Sequence, residues 1–340
     1  MSRFVIGIDI GGSGSRAALG ADAADEEERS TGPRAVDTLT GPRIEVGSGG
    51  STVLEVARGL VDSAASTWAD RLPELVGIGI GATGIASLSE GPAEVLAGVS
   101  AEFGTPAVAA IYAVTAHLGA LDGRGGAITV LGTGAIAIGH PGSDDHGHWC
   151  PGWSRVDGWG HLFGDRGGGA WLGRLGLELA LRTHDGIDEY GNVLLEAAIR
   201  RFGLPASWPS RFYTRSDRAG LIAEFAADIA EAARSGDAAS AELLDGAGRE
   251  AARSALAAAR SAPLRSAETG ARSAPVRIAL TGGLAAAGGC LVEGFGAESS
   301  RLHPDAMIVD PAGGPIDGAL MLAHLGAGGK LSAQDRVIWT

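Results

Sequence analysis

The chain has 340 residues, of which 45% are hydrophobic, and this length accommodates two domains with substantial cores. Its formal net charge of −13 at pH 7, without a basic block, argues against nucleic acid as a partner. The sequence has no apolar run of the roughly 18–20 residues that span a membrane, no N-terminal signal pattern and too few cysteines for a disulfide framework, so we expect a cytoplasmic protein without membrane contact.

The first predicted element is a buried strand over residues 4–10, followed by a turn of small residues and a second strand from residue 16. Glycine allows backbone N–H groups to approach an anion closely, so this turn could bind phosphate oxygens. Asp9 offers a hard oxygen ligand to Mg²⁺ or its bound water. The turn residues are Gly11, Gly12, Ser13, Gly14 and Ser15.

Two other interpretations of this stretch stay open. The turn could belong to an ordinary hairpin. The spacing Gly12-x-Gly14-x-x-Ala17 also fits a dinucleotide-binding fingerprint. That fingerprint requires a helix after the glycines and an acid about 20 residues further on, whereas residues 21–29 resemble a polar loop.

The next elements suggest a mixed sheet flanked by helices. In chain order they are strands at residues 34–39 and 44–46, a helix at 53–70, a strand at 75–80, a helix at 93–103, a strand at 107–112 and a helix at 115–121.

A second strand–turn–strand unit follows a glycine-rich boundary at residues 123–126. Its strands are predicted at residues 127–131 and 135–139, and its turn contains Gly132, Thr133 and Gly134. Two such units suggest a duplicated domain whose turns face each other across a cleft.

Residues 140–150 combine several possible metal ligands. The spacing of the side chains is irregular, so the segment could be either a zinc site or a solvated loop. The candidate ligands are His140, Asp144, Asp145, His146, His148 and Cys150.

Residues 158–173 indicate a binding loop that leads into a helix over residues 170–184. Asp165 could accept hydrogen bonds from hydroxyl groups, and Trp159 could pack on the apolar face of a sugar. In the alternative interpretation, Trp159 and Trp171 belong to the core and Asp165 caps the helix.

The remaining chain is mostly helical, with a last buried strand at residues 276–280 that ends in Gly282, Gly283 and Leu284. We predict helices at residues 190–202, 219–233, 238–260, 289–296 and 315–325, a strand at 306–309 and a surface loop at 259–275. Lys330 is the only lysine, which excludes a Walker A loop and the strand lysine of a protein kinase.

Taken together, these stretches resemble the sugar kinase and actin superfamily. More narrowly, they resemble its N-acetylglucosamine kinase group, which also includes ATPases that activate benzoyl-CoA reductase. The matching motifs are, in order, GIDIGGSGSRAAL, VLGTGAIAIG, DGWGHLFGDRGGGAWLG and ALTGGLAAAG, followed by a last apolar helix. The resemblance covers nearly the whole chain, and its third motif is the most specific.

The resemblance implies an α/β fold of two RNase H-like domains, of the actin and hexokinase type, with mixed sheets flanked by helices and a cleft between them. Residues 1–122, completed by residues 315–340, would form the first domain, and residues 123–314 the second, with helical insertions. The cleft would close on ATP and on a small-molecule sugar such as N-acetylglucosamine, glucosamine or a related hexose. A homodimer is the oligomeric state that the resemblance suggests.

The resemblance also assigns roles to single residues. Asp9 would hold Mg²⁺ through water. The phosphates of ATP would be bound by Gly11, Gly12, Ser13, Gly14 and Ser15 and by Gly132, Thr133 and Gly134. Adenosine would contact Gly282, Gly283 and Leu284. The sugar would contact Trp159, Gly160 and Asp165.

The sequence departs from the family pattern at the general base. Tyr112 stands at the position where the family has its general-base Asp, and residues 107–121 contain no acid. Asp165 is therefore our candidate for the catalytic base, with Tyr112 beside the sugar. The alternative is a nucleotide- and sugar-binding relative with weak or no activity, because a general base contributes roughly 10²–10⁴-fold to a rate.

Two further departures concern the sugar site and the reductase activators. The family's Gly-Asp-Glu-Gly-Ser reads Gly-Asp-Arg-Gly-Gly at residues 164–168, and the Asn that often contacts the sugar is absent from residues 41–48. The cysteine ligands of an iron–sulfur cluster are missing as well, which argues against the reductase activators.

Overall fold

The structure is a computed structural model that describes residues 3–12, 14–22, 32–47, 50–86, 91–261 and 275–340. Its framework is two mixed β-sheets, each flanked by helices, which confirms the predicted fold class. Within the described residues, no helix is both long and apolar enough to cross a membrane.

The strands, in chain order, are β1 (Arg3–Gly11), β2 (Gly14–Asp22), β3 (Arg34–Gly41), β4 (Val46–Gly47), β5 (Gly50–Ser51), β6 (Leu75–Ala82), β7 (Ala107–Ile111), β8 (Gly126–Leu131), β9 (Ala135–His140), β10 (Ser154–Asp157), β11 (Arg277–Thr281), β12 (Met307–Ile308) and β13 (Ile338–Trp339). The helices are α1 (Val53–Thr67), α2 (Pro92–Phe103), α3 (Tyr112–Ala120), α4 (Gly169–His184), α5 (Asn192–Phe202), α6 (Trp208–Tyr213), α7 (Arg218–Arg234), α8 (Ala238–Ser261), α9 (Gly289–Leu302) and α10 (Pro315–Ala327).

The first sheet has the strand order β13-β7-β6-β1-β2-β3. Strands β1, β2 and β3 form an antiparallel meander, whereas β6 and β7 run parallel to β1. The carboxyl ends of β1, β6 and β7 therefore lie at one edge of the sheet, where parallel α/β sheets commonly bind ligands.

The two faces of this sheet differ in side-chain size. On one face, Ile6 and Ile8 of β1 pack with apolar residues of α1 such as Leu60. The other face is rich in glycine, and helix α10 lies almost directly on the strands. A Cβ added to Gly79 would lie 2.4 Å from the backbone oxygen of Ala319. Glycine is required there because the backbones approach so closely.

The second sheet has the strand order β10-β9-β8-β11-β12 and packs against α8. The buried hydroxyl of Thr129 in β8 donates a hydrogen bond of 2.7 Å to the backbone oxygen of Ala251 in α8. Helix α3 connects the sheets: it follows β7 in the chain, and His117 Nε2 lies 3.0 Å from the backbone oxygen of Gly126 at the start of β8.

The C-terminal tail also joins the two sheets. Gln334 accepts the backbone N–H groups of Gly152 and Trp153 and donates to the oxygen of Trp153. The same tail then forms β13, which pairs with β7 at the edge of the first sheet.

Most predicted elements are present, with changed ends. Helix α3 begins at Tyr112 rather than at residue 115, and α9 continues to Leu302 rather than ending at residue 296. Strands β5, β10 and β13 and helix α6 were not predicted. Of the predicted loop at residues 259–275, residues 259–261 belong to α8, whereas residues 262–274 lie outside the described residues.

Candidate functional site

The first glycine turn joins β1 to β2. The strand register pairs Gly11 with Gly14, which leaves a two-residue turn between them. A Cβ added to Gly12 or to Gly14 would meet no described atom within 4 Å, so the turn presents open backbone. Ser13 lies outside the described residues. Ser15 is buried, and its hydroxyl donates to the backbone oxygen of Pro42 at 2.5 Å, so that hydroxyl is already engaged.

Asp9 lies near the end of β1 and is 6% exposed. Its Oδ2 accepts a hydrogen bond of 3.0 Å from Nε of Arg16, the residue opposite it in β2. Its Oδ1 is buried and has no hydrogen-bond partner among the described residues. Burial raises the pKa of the Asp9 carboxyl, while Arg16 opposes this shift. A buried oxygen without a partner is a fitting ligand for a cation or for its bound water.

Tyr112 is the first residue of α3 and lies beside this turn. Its Cε2 would be 3.7 Å from a Cβ placed on Gly11. Burial, followed by the charge of Asp9, raises the pKa of the Tyr112 phenol to about 12. At neutral pH the side chain is therefore a neutral hydroxyl that can donate a hydrogen bond but cannot act as a general base.

The second glycine turn joins β8 to β9, and the start of helix α4 packs directly on it. The N–H of Gly132 bonds to the oxygen of Gly134 at 2.9 Å, which closes a tight turn. The N–H groups of Gly169 and Ala170 donate to the oxygens of Gly132 and Thr133, both at 2.8 Å. Gly132 and Thr133 remain exposed, so helix α4 holds one side of the turn while its other side faces solvent.

The predicted adenosine motif lies next to this second turn. Strands β11 and β8 are parallel neighbours in which Thr281 pairs with Val130. Gly282 has φ +99°, and a Cβ there would lie 2.3 Å from the backbone oxygen of Leu131. The fold thus brings residues 282–284 beside residues 132–134, although 148 positions separate Gly282 from Gly134 in the chain.

Asp165 lies against the same turn. Its Oδ1 accepts the N–H of Gly160 at 3.0 Å, and its Oδ2 would be 2.3 Å from a Cβ added to Gly134. Burial raises the pKa of the Asp165 carboxyl, and the nearby charge of Asp157 raises that pKa further. The structure therefore joins the third motif to the second, and it gives Asp165 the direction of pKa shift that suits a general base.

Asp157 is a site residue that our sequence analysis missed. It is 5% exposed, and its carboxylate accepts the N–H groups of Asp165 and Arg166, both at 2.9 Å. The Arg166 side chain lies 3.6 Å away. Asp157 thus holds the loop that carries Asp165. Asp157 is the first residue of the third motif, but its role depends on the chain returning eight residues later, which the motif itself did not indicate.

The loop in front of Asp165 is apolar and exposed. Trp159, Leu162 and Phe163 are 67%, 70% and 79% exposed, so the alternative in which Trp159 belongs to the core is wrong. The guanidinium of Arg155 lies over the indole of Trp159, 5.0 Å from the ring centroid. Trp171, by contrast, is partly buried and packs against the core of the second sheet, so this part of the alternative is confirmed. The helix-cap part fails, because Gly168 is the N-cap of α4 and no side chain caps the helix.

His140, a candidate zinc ligand in the sequence, has a structural role instead. Its Nδ1 accepts the N–H of Gly142 at 3.0 Å, and its Nε2 donates to the backbone oxygen of Cys150 at 2.9 Å. Burial lowers the pKa of this imidazole. Both ring nitrogens are engaged, so His140 is not available to a metal.

Comparisons with known proteins agree with this architecture. Residues 6–323 match the family described as the BadF/BadG/BcrA/BcrD ATPase family. No curated protein sequence matches the chain significantly.

Three solved structures establish the fold. A candidate N-acetylglucosamine kinase from Chromobacterium violaceum is 23% identical, with a TM-score of 0.60 over 94% of this chain and 98% of the other. A candidate N-acetylglucosamine kinase from Porphyromonas gingivalis is 16% identical, with a TM-score of 0.58 over 95% and 98%. A ROK family glucokinase from Streptomyces griseus, in complex with glucose and AMPPNP, is 20% identical, with a TM-score of 0.51 over 95% and 98%.

Proposed function

The chain belongs to the BadF/BadG/BcrA/BcrD ATPase family, and from that premise we propose that it is an ATP-dependent sugar kinase. In this proposal it transfers the γ-phosphoryl group of ATP to a hydroxyl of N-acetylglucosamine, glucosamine or a related hexose. The substrate class is taken from the structural neighbours, two candidate N-acetylglucosamine kinases and a glucokinase.

One observation carries the proposal: the carboxylate of Asp165 contacts Gly134 of the second turn, and its pKa is raised. If the second turn binds phosphate, a base next to it would lie where a sugar hydroxyl must lose its proton. Asp165 would accept that proton while the hydroxyl oxygen forms its bond to the γ-phosphorus and ADP leaves. Tyr112 would stay protonated and donate a hydrogen bond.

We assign ATP binding to backbone groups rather than to lysine. The two glycine turns would hold the phosphate chain from opposite sides, and Gly282, Gly283 and Leu284 would contact adenosine. Lys330 has a different task, because its Nζ donates to the backbone oxygen of His146 at 2.9 Å. A site without lysine depends on amide dipoles and a metal ion for charge neutralisation.

The residues around Asp9 fit Mg²⁺. The buried Oδ1 of Asp9 could bind the ion or one of its waters, while Arg16 holds the second oxygen in place. When bound, the ion would neutralise phosphate charge. Asp9 itself would remain an orienting carboxylate and would transfer no proton.

The exposed loop of Trp159 and Gly160 would supply the sugar contact. An indole can pack on the apolar face of a hexose, and the Arg155 guanidinium lies over one face of the Trp159 ring. Closure of this loop over the sugar would exclude water, so that the phosphoryl group reaches a sugar hydroxyl rather than water.

A second candidate function is a nucleotide- and sugar-binding protein with weak or no kinase activity. The observation that favours it is Tyr112, a neutral phenol at the position where the resembling family has its catalytic acid. Phosphoryl transfer depends mostly on positioning and charge stabilisation, so loss of that acid would slow a kinase without abolishing it.

Coupled ADP release over a panel of amino and neutral hexoses separates the two candidates. We expect ADP release that depends on Mg²⁺ and rises with one sugar class, together with a matching amount of sugar phosphate. ATP binding without sugar-stimulated turnover would support the binding protein and overturn the kinase. The domain boundary at residues 122 and 123, the homodimer and the cytoplasmic location remain predictions from the sequence.

A further inference from the structure

The loop between β9 and β10 brings three possible metal ligands together, at the opposite end of β9 from the second glycine turn. Asp144, His148 and Cys150 each offer one ligand atom, and these atoms all lie within 4.8 Å of one another. Sγ of Cys150 lies 3.7 Å from Nδ1 of His148.

We propose that Asp144, His148 and Cys150 bind one zinc-class divalent transition-metal ion. In a tetrahedral zinc site the Zn–S and Zn–N bonds are about 2.3 Å and 2.0–2.1 Å, which places the S and N ligand atoms about 3.5–3.6 Å apart. The 3.7 Å between Cys150 and His148 already agrees with that spacing. All three ligand atoms lie within 4.8 Å of one another. A movement of about 1 Å would therefore bring the Asp144 oxygen to the spacing of a tetrahedral site.

The ligand types also select the metal. A thiolate, an imidazole and a carboxylate favour zinc and similar transition metals over Mg²⁺ or Ca²⁺, which take oxygen ligands. This site would therefore not compete for the magnesium that Asp9 is proposed to hold. Three protein ligands leave the fourth position of a tetrahedron to water.

The loop is already shaped for this ligand set. Oδ1 of Asp144 accepts the N–H groups of His146 and His148 at 2.9 and 2.8 Å, so it orients the carboxylate and closes the turn. The second oxygen of Asp144 is left for a metal. His140 holds the backbone oxygen of Cys150 at 2.9 Å, while the Cys150 side chain itself is exposed.

The position of the site indicates a structural role. The N–H of Trp149 donates to the oxygen of Lys330 at 2.8 Å, and the N–H of Ser332 donates to the oxygen of Trp149 at 3.1 Å. The same C-terminal tail continues to β13 in the first sheet. A metal in this loop would therefore strengthen a segment that ties the second sheet to the first.

The test uses the full chain after treatment with a chelator. Co²⁺ replaces zinc as the probe, because cobalt bound to a thiolate gives a charge-transfer absorption that cobalt bound to oxygen does not. We expect about one Co²⁺ per chain with that absorption, displacement by Zn²⁺, and a melting temperature that rises with Zn²⁺. Cys150→Ser and His148→Gln should lose the absorption and bind Zn²⁺ at least about tenfold more weakly.

Cys290→Ser is the matched control, because Cys290 is the other cysteine of the chain and lies in α9. It should keep the absorption and the affinity. The proposal fails if the unsubstituted chain shows no thiolate absorption with Co²⁺, or if the absorption persists in Cys150→Ser. Sugar-stimulated ADP release is measured in parallel and should change little in Cys150→Ser, so this result does not depend on the kinase proposal.

Discussion

The carboxylate of Asp165 lies so close to Gly134 that a Cβ on that glycine would stand 2.3 Å from Oδ2. The contact joins the loop of the third motif to the turn of the second. It makes the position of the acid and the shape of the turn depend on each other.

Gly134→Ala tests this contact directly. The added methyl group must displace the Asp165 carboxylate, so we expect kcat/KM for the best sugar to fall at least about tenfold. ATP affinity should change only a few-fold, because the turn backbone can be kept. Steady-state kinetics and nucleotide titration measure the two effects. The control is Gly220→Ala on α7, where a Cβ would meet no described atom within 4 Å. Equal activity in both variants would contradict the contact's importance.

Asp157→Asn tests the buried acid behind the loop. The activity of a base catalyst falls at acidic pH, as the base becomes protonated, and the raised pKa of Asp165 places this limb above the ordinary Asp range. Removing the negative charge of Asp157 lowers the pKa of Asp165, so the acid limb of kcat/KM should move to lower pH. The maximal rate should also fall, because Asn cannot accept both N–H bonds equally well. A pH–rate profile with an unchanged limb would show that Asp157 has no electrostatic influence on Asp165, the proposed base.

Gly79→Ala tests the contact between α10 and the first sheet. The new Cβ would lie 2.4 Å from the backbone oxygen of Ala319, which cannot move without the helix, so we expect a loss of about 1–3 kcal/mol or more in the free energy of unfolding. Gly59→Ala is the matched control in α1, where a Cβ would contact no described atom within 4 Å. It should stabilise the chain by about 0.5–1 kcal/mol through helix propensity. Urea unfolding measures both, and equal effects would contradict the close packing.

The buried imidazole of His117 leads to a prediction of how the free energy of unfolding depends on pH. Burial lowers the pKa of its imidazole to about 4, and the ring contacts Trp153 with centroids 5.0 Å apart. In the unfolded chain the pKa of His117 is near 6.5, so as the pH falls the unfolded state is protonated at a higher pH than the folded state. Stability should therefore decline as pH falls from about 6.5 to 4, by about 1.4 kcal/mol per pH unit at most and roughly 3 kcal/mol in all.

The check is the difference between two curves of unfolding free energy against pH. In His117→Gln this part of the slope should disappear, although carboxyl groups elsewhere still contribute. Identical slopes for the two proteins between pH 6.5 and 4 would show that His117 does not titrate as described.

The sequence was sufficient to predict those parts of the fold that depend on local sequence pattern. Apolar runs and glycine turns predicted β1, β2, β8 and β9, because each strand is buried and each turn needs small residues. Strands β10 and β13 are four and two residues long and are defined by pairing partners far along the chain, so no local pattern revealed them. Their register is a tertiary property.

The candidate site shows the same difference between residues with a local sequence signal and residues whose role depends on tertiary contacts. Gly132 and Gly282 carry local signals, and the fold places them together. By contrast, Ser15 and His140 looked like ligand-binding side chains, yet both are engaged with neighbouring backbone groups that only the folded chain brings within reach. Asp157 opens the third motif, but its role could not be predicted locally, because its partners are the N–H groups of residues in a returning loop.

The central claim, that Asp165 rather than Tyr112 removes the proton from the sugar hydroxyl, is tested most directly by sugar phosphate formation in Asp165→Asn and Tyr112→Phe. We expect Asp165→Asn to lower kcat by roughly 10²–10⁴-fold, the usual contribution of a general base, and Tyr112→Phe to lower it by less than about tenfold. Wild-type turnover in Asp165→Asn, or a larger loss in Tyr112→Phe than in Asp165→Asn, would contradict the account.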